Sequence, residues 1–293
     1  MTKILVTGAT GDIGKRTIAA LQGSGHEVAA GVRSPAQAGA LAALGAQPVA
    51  FDFGDPASMR AALAGVDRLF VITPFVEFAR PPVEAALSAA REAGVGFVVR
   101  MSAYGADLSS AMAIGRDHAA AEQAVIESGL RWSVLRPSFF QDNPLRYQGG
   151  AIAATGAFYG AAEQGASSSV SPDDVAAVAA AILREPDSHV GKTYTLTGPE
   201  ALTEPQVAAL LSEASGREVR YVSMPSEQLL ASMIGQQAPA WQAQALVDLE
   251  SVKRNGWAAG VSPDVERILG RRGQTLVEYL AAHPRELDPI RAR

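Results

Sequence analysis

The chain contains no cysteine, which removes disulfide frameworks, thiolate metal sites and a cysteine nucleophile together. Aromatic residues supply only 6% and charged residues 19% of its 293 positions. No run approaches the roughly twenty apolar residues that cross a bilayer, so no membrane partner is expected. Positive charge is not in excess, because 25 lysines and arginines face 30 acids for a net charge of −5. The basic residues are scattered, which argues against a nucleic-acid partner. Histidine is sparse as well: residues 26, 118, 189 and 283 show no ligand spacing, and no metal site is expected. The sequence runs directly into an apolar strand pattern without a cleavable leader, so a cytoplasmic location is expected. What is abundant is apolar residues, at 48%, enough for one large α/β domain or a core domain with a smaller appendage.

The most informative stretch is Ile4-Leu5-Val6-Thr7-Gly8-Ala9-Thr10-Gly11-Asp12-Ile13-Gly14. Ile4, Leu5 and Val6 read as a strand covered on both faces. The glycines let the backbone turn and approach a pyrophosphate, and the following helix offers that anion its unpaired N–H groups and the positive end of its dipole. Gly8, Thr10, Gly11, Asp12 and Ile13 are therefore candidate cofactor contacts. The spacing is Gly-x-x-Gly-x-x-Gly, not the commoner Gly-x-Gly-x-x-Gly, and the plain alternative is a flexible strand-to-helix turn. A second strand over 27–32 leads to Arg33-Ser34, about twenty positions past the turn. An acid there would bond the adenosine ribose of NAD, whereas a guanidinium suits a 2′-phosphate, so Arg33, Ser34 and Lys15 point to NADP(H). The bland alternative for Arg33 is a solvated surface arginine. A third strand over 47–51 places Asp52 and Phe53 beside the adenine, with Asp52 equally able to cap a turn.

The alternation continues with a strand over 67–72 ending in Thr73-Pro74, a helix over 80–93 and a strand over 97–101. A helix over 112–128 and a strand over 130–135, running into Pro137 and Phe139, complete it. Thr73, Pro74, Met101, Pro137 and Phe139 all sit at strand ends on one edge, where an open parallel sheet builds its site. Phe139 and Phe140 are either an aromatic wall beside a nicotinamide or ordinary core. The pattern predicts a right-handed, helix-covered parallel sheet over residues 1–143, with later strands returning to it, and a smaller region over 144–293. Within the latter, 149–165 reads as a substrate-facing loop or hairpin. Residues 171–184 and 203–216 read as capped helices, and 193–197 and 219–223 as strands. Met224, Met233, Ile234 and Trp241 are either a lid or plain core, and residues 284–293 read as a frayed end.

Taken with Arg33, the segment 132–136 and Gly191-Lys192-Thr193-Tyr194-Thr195-Leu196-Thr197-Gly198-Pro199, the glycine stretch resembles the NmrA-like branch of the atypical short-chain dehydrogenase/reductases. The likeness runs from residue 1 to about residue 280. It implies a Rossmann-type doubly wound parallel sheet with a small C-terminal α/β substrate-binding annex, and NADP(H) as cofactor. That branch includes quinone and triphenylmethane-dye reductases, ketoreductases of natural-product pathways and non-catalytic sensors of the NADPH ratio. Ordinary short-chain reductases carry a Tyr-x-x-x-Lys pair. Counting back from Glu122, the lysine position here holds His118 and the tyrosine position Ile114, and lysine occurs only at 3, 15, 192 and 253. Ser102 matches the catalytic serine of the family. His118 either meets the nicotinamide ribose, relays a proton, or satisfies a neighbour. Hydride transfer without a protein acid suits a quinone, a cationic dye or an aromatic ketone that carries its own phenol. The expectation is thus an NADPH-dependent reductase of small aromatic molecules, monomeric or homodimeric, with the annex over the substrate. The alternative is a non-catalytic NADP(H)-binding redox sensor.

Overall fold

The computed structural model describes residues 1–291, and among them no helix is long and apolar enough to cross a membrane. From the N-terminus come β1 (Lys3–Val6), α1 (Asp12–Leu21), β2 (Glu27–Val32), α2 (Ala38–Ala42), β3 (Gln47–Ala50) and α3 (Pro56–Leu63). Next are β4 (Arg68–Val71), α4 (Arg80–Glu92), β5 (Phe97–Met101), α5 (Ala113–Glu127) and β6 (Trp132–Pro137). The middle of the chain forms α6 (Asn143–Thr155), β7 (Ala157–Gly160), β8 (Ala166–Ser167), α7 (Pro172–Arg184) and β9 (Lys192–Leu196). The remainder forms β10 (Leu202–Thr203), α8 (Glu204–Ser215), β11 (Arg220–Ser223), α9 (Ser226–Gly235), α10 (Ala240–Arg254), α11 (Asp264–Leu269) and α12 (Leu276–Ala282).

These elements fall into two compact units. The first takes Met1–Pro137 and Pro172–Thr195 and holds a seven-stranded sheet ordered β3-β2-β1-β4-β5-β6-β9, the expected doubly wound α/β architecture. Strands β1 to β6 pair in parallel. Their apolar runs are buried on both faces; Ile4, Leu5 and Val6 are all fully buried. On one face Leu5, Leu69, Val98 and Val134 pack with Leu63, Val83, Leu87 and Val125 of α3, α4 and α5. Across the sheet α1 and α7 pack on each other, and Ile18, Leu21, Val175, Val178 and Ile182 lose their solvent. Helix starts follow local chemistry: Asp55 caps α3 by accepting from the Ala57 N–H at 2.9 Å, and α4 carries its prolines in its first turn, where the missing N–H costs nothing. The expectation is a first domain over 1–143 with later strands returning to it; the chain leaves the first unit at Pro137 and supplies α7 and β9 to it later.

The second unit takes Ser138–Ser171 and the chain from Leu196 onward. In it β7 pairs in parallel with β11, and β8 pairs antiparallel with β10. Residues 149–165 are not the expected loop or hairpin. Their first half continues α6, with its proline in the first turn and Gly156 closing it at φ 70°, and β7 finds its partner some sixty residues on. Two glycines inside a helix cost about 1 kcal/mol each relative to alanine, and burial of Gly149 and Ile152 offsets that. The tail is not frayed either. A 3₁₀ turn at Pro284–Leu287 brings the Glu286 carboxylate to the Tyr279 hydroxyl at 2.8 Å, and Leu287 and Ile290 are buried in the core of this unit. The last two positions of that expectation, 292 and 293, lie outside the described residues. Met224 and Met233 pack against Ala161, Leu229 and Val247, as plain core does.

Candidate active site

The order of the sheet reverses between β1 and β4, and at such a switch point the carboxyl ends of the strands open a crevice. The chain leaves β1 through Thr7, whose buried hydroxyl donates to the Ile72 carbonyl at 3.0 Å and accepts from the Ile72 N–H at 2.8 Å. This staple fixes the turn that follows. Gly8 has φ 58°, and a Cβ there would lie 2.9 Å from Ile72 atoms. Gly11 donates its N–H to the Gly8 carbonyl at 2.9 Å. A Cβ on Gly14 would meet the Gly8 oxygen at 2.4 Å and the Ala9 Cα at 2.7 Å, so only glycine lets α1 abut the turn. Gly11 caps α1 with no side-chain hydrogen bond, which leaves the opening amides of the helix to an external acceptor. Thr10 is half-buried and Ile13 is buried. The Asp12 carboxylate turns to Arg16 at 2.9 Å, and Arg16 reaches Asp173 at 2.6 Å. What Asp12 offers a phosphate is its backbone.

Arg33 follows directly on β2, is exposed, and has no ion-pair partner among the described residues. Lys15, in the first turn of α1, is exposed in the same way. The Ser34 hydroxyl accepts from the Ala36 N–H at 3.3 Å. Asp52 takes the turn-capping alternative: its Oδ1 accepts from the Gly54 N–H at 2.8 Å, and its own N–H donates to the Ser58 hydroxyl at 3.0 Å. Phe53 is half-buried and meets Phe51 edge-on at 5.2 Å.

The far end of the edge is organised by a residue the motif reading passed over. Arg100 in β5 is 1% exposed, and its guanidinium donates to the Val71 carbonyl at 3.4 Å, to Thr73 Oγ1 at 3.2 Å and to the Met101 carbonyl. Burial brings its pKa down to about 10, against the opposing pull of Glu122 and Asp117. A lone arginine in the strand Phe-Val-Val-Arg-Met was its signal. Asp117 accepts from the Ala79 N–H through both oxygens, at 3.0 and 2.8 Å; burial pushes its carboxyl up, while these bonds and the Arg100 charge act the other way. Pro74 is exposed.

Ser102 is 5% exposed and donates its hydroxyl proton to Glu122, itself 4% exposed. Arg136 clamps the same carboxylate through Nε at 2.9 Å and Nη2 at 2.5 Å. The Pro137 carbonyl accepts from the Tyr104 N–H at 2.9 Å. His118 is not brought to Ser102 by a hydrogen bond. Its Nδ1 is buried without a hydrogen-bond partner among the described residues, and burial, then the Arg100 charge, pull its pKa down to about 4. Phe139 belongs to the second unit, where the Lys253 ammonium sits 4.7 Å from its ring centroid. Among the described residues no cluster of His, Asp and Glu is arranged to hold a metal.

Comparison with known proteins gives a consistent result. Residues 8–186 match the family described as NAD(P)H-binding. The chain is 39% identical over 280 residues to an NAD(P)H azoreductase of Xenophilus azovorans, covering 96% of this chain and 97% of that one. Among solved structures, an NADPH-dependent quinone oxidoreductase from Escherichia coli in complex with NADPH superposes with a TM-score of 0.85 at 32% identity, over 96% of this chain and 99% of the other. A triphenylmethane reductase of Citrobacter sp. gives 0.81 at 26% identity, over 96% and 98%.

Proposed function

Because the chain belongs to the NAD(P)H-binding family, in its atypical short-chain dehydrogenase/reductase branch, we propose that it is an NADPH-dependent reductase of quinones, dyes or aromatic ketones. The observation that carries the reading is the glycine turn, tight enough to exclude any Cβ at Gly8 and Gly14, set beside an exposed arginine at the tip of the neighbouring strand. In this reading the backbone of Gly8, Thr10, Gly11, Asp12 and Ile13 holds the pyrophosphate. Arg33, Ser34 and Lys15 take the 2′-phosphate. Asp52 and Phe53 border the adenine, and Thr73, Pro74, Met101 and Pro137 border the nicotinamide. When bound, NADPH supplies the hydride.

The residues at the nicotinamide end explain the choice of acceptor. The Ser102 proton is committed to Glu122, so the serine oxygen is left to accept a hydrogen bond from a ligand. His118 is neutral above about pH 4, so at neutral pH it offers a ribose hydroxyl an uncharged imidazole and not an acidic proton. With Ile114 and His118 where ordinary short-chain reductases have tyrosine and lysine, α5 lacks the usual Tyr-x-x-x-Lys acid. Acceptors whose reduced form is a stabilised anion, or that carry their own phenol, fit such a site. The test is NADPH oxidation, followed by absorbance, with quinones, azo and triarylmethane dyes and polycyclic aromatic ketones. Turnover is expected with at least one class; tight NADPH binding without any turnover would instead establish a sensor. In the same assay Arg33→Asp is expected to weaken NADPH by about tenfold or more while leaving NADH nearly unchanged, as the loss of a charge-assisted contact requires. Equal losses for the two cofactors would refute the 2′-phosphate assignment.

A further inference from the structure

We propose that the loop 74–78 is the acceptor-recognition loop of this chain, gripping a planar apolar acceptor with Phe75, Val76 and Phe78. The inference rests on the reductase reading for one premise, that an acceptor lies at the β4–β5 edge. The rest is carried by how the loop is held and what it displays. Its first end is pinned by Arg100, which bonds the Val71 carbonyl at 3.4 Å, the Met101 carbonyl and Thr73 Oγ1 at 3.2 Å. Its second end is pinned by Asp117, which takes the Ala79 N–H at 3.0 and 2.8 Å. Both anchor points are buried, with Arg100 at 1% and Ala79 at 4% exposure.

Between these pins three of the five residues are large and apolar, and all three face solvent: Phe75 is 47%, Val76 36% and Phe78 64% exposed. Ala79 and Val83, which follow the loop, are buried in the core of the first unit. Scattered exposed apolar residues are ordinary on protein surfaces, but a contiguous set on a tethered loop marks a contact surface. Its location selects the occupant. Ile72 touches the glycine turn, since a Gly8 Cβ would lie 2.9 Å from it, and the loop begins two residues further on. A cofactor held at that turn runs past the start of the loop. A flat ring system set against such a cofactor meets two phenylalanine rings, which favour offset or edge-on contact with aromatic partners. A small hydrophilic acceptor would reach the cofactor without touching them.

The experiment uses the full chain and the variants Phe78→Ser, Phe75→Ser and Phe78→Trp. Menadione binding to the NADP⁺-loaded protein is measured by calorimetry, which needs no turnover, and kcat and KM are measured with menadione and with benzoquinone. Removing one ring is expected to weaken menadione binding about tenfold and raise its KM alike, the effect of losing one buried aromatic contact. NADPH affinity, the melting curve and the benzoquinone parameters should stay within about twofold, which is the scatter of a neutral surface change. Phe78→Trp should restore menadione binding. Unchanged menadione affinity in both serine variants would overturn the proposal. So would a parallel loss of NADPH affinity, or a dimer that dissociates on Phe78→Ser in light scattering, which would make the loop a contact between copies. Absence of turnover in the unaltered chain would sink the reductase reading alone, because calorimetry still decides whether the loop recognises a planar apolar ligand.

Discussion

His118 shows how little of a residue's role is fixed by its place in a motif. Its spacing from Glu122 marks the position where a lysine is usual, and that much is legible in the chain itself. What the spacing does not carry is that Arg100, from strand β5, holds a fixed positive charge near it, so that burial and this charge together bring the imidazole down to about 4 from 6.5. The Ser102–Glu122–Arg136 chain was equally out of reach, because three residues far apart in sequence meet only once β5, α5 and β6 are side by side. Arg33 was readable early, since it sits a fixed distance past the glycine turn within one β-α-β unit. For His118 the sign follows from linkage: a folded pKa below the unfolded one means that the unfolded chain takes up the proton first, so stability falls as pH drops from about 6.5 toward 4. The contribution amounts to roughly 2 kcal/mol between neutral pH and about pH 4.5, at most. Thermal melts at those two pH values should therefore show a smaller acid-induced loss in His118→Leu than in the unaltered chain. Parallel losses would show that His118 is not held neutral by its surroundings.

At the level of elements, the glycine turn was located from sequence, but its three glycines looked equivalent and are not. Gly8 serves the left-handed φ and the approach to β4, and Gly14 serves the packing of α1 on the turn. A Cβ on Gly11 would come no closer than 3.2 Å to the Gly8 carbonyl. Their ranking depends on the distance between a helix and a strand end, which periodicity does not report. Gly14→Ala must push backbone against backbone, at 2.4 Å from the Gly8 oxygen, and overpacking of that kind costs about 1–3 kcal/mol. The expected result is a lowered melting temperature and a loss of about tenfold or more in NADPH affinity by fluorescence titration, with Gly11→Ala much milder in both. Equal effects at the two positions would show that the turn is not tuned by close packing. Helix α6 makes the converse point: its glycine pair reads as a loop, yet burial on one face of the helix overrides the local propensity.

For the whole molecule, the strand-helix alternation gave the sheet because each apolar run had to be covered on both faces. That later strands return to this sheet is expected, but not that the returning segment is Pro172–Thr195. That segment has the capped-helix and strand signals of its own, but nothing local says which core it completes. Its place is set by long-range pairing. Val175, Val178, Ile182 and Leu183 of α7 are fully buried, Asp173 receives Arg16 at 2.6 Å, and Arg68 donates to the carbonyls of Leu183 and Arg184 that end α7. Each buried aliphatic side chain contributes about 1.5–3 kcal/mol, so the four together rival the roughly 5–15 kcal/mol that separates a folded domain from its unfolded state. A fragment of residues 1–143 should accordingly show no cooperative melt by circular dichroism and bind NADPH poorly. A fragment joining residues 1–137 through a short flexible linker to residues 172–195 should recover both properties. If residues 1–143 melt cooperatively and bind NADPH like the full chain, then α7 and β9 lie over a core that is already complete without them.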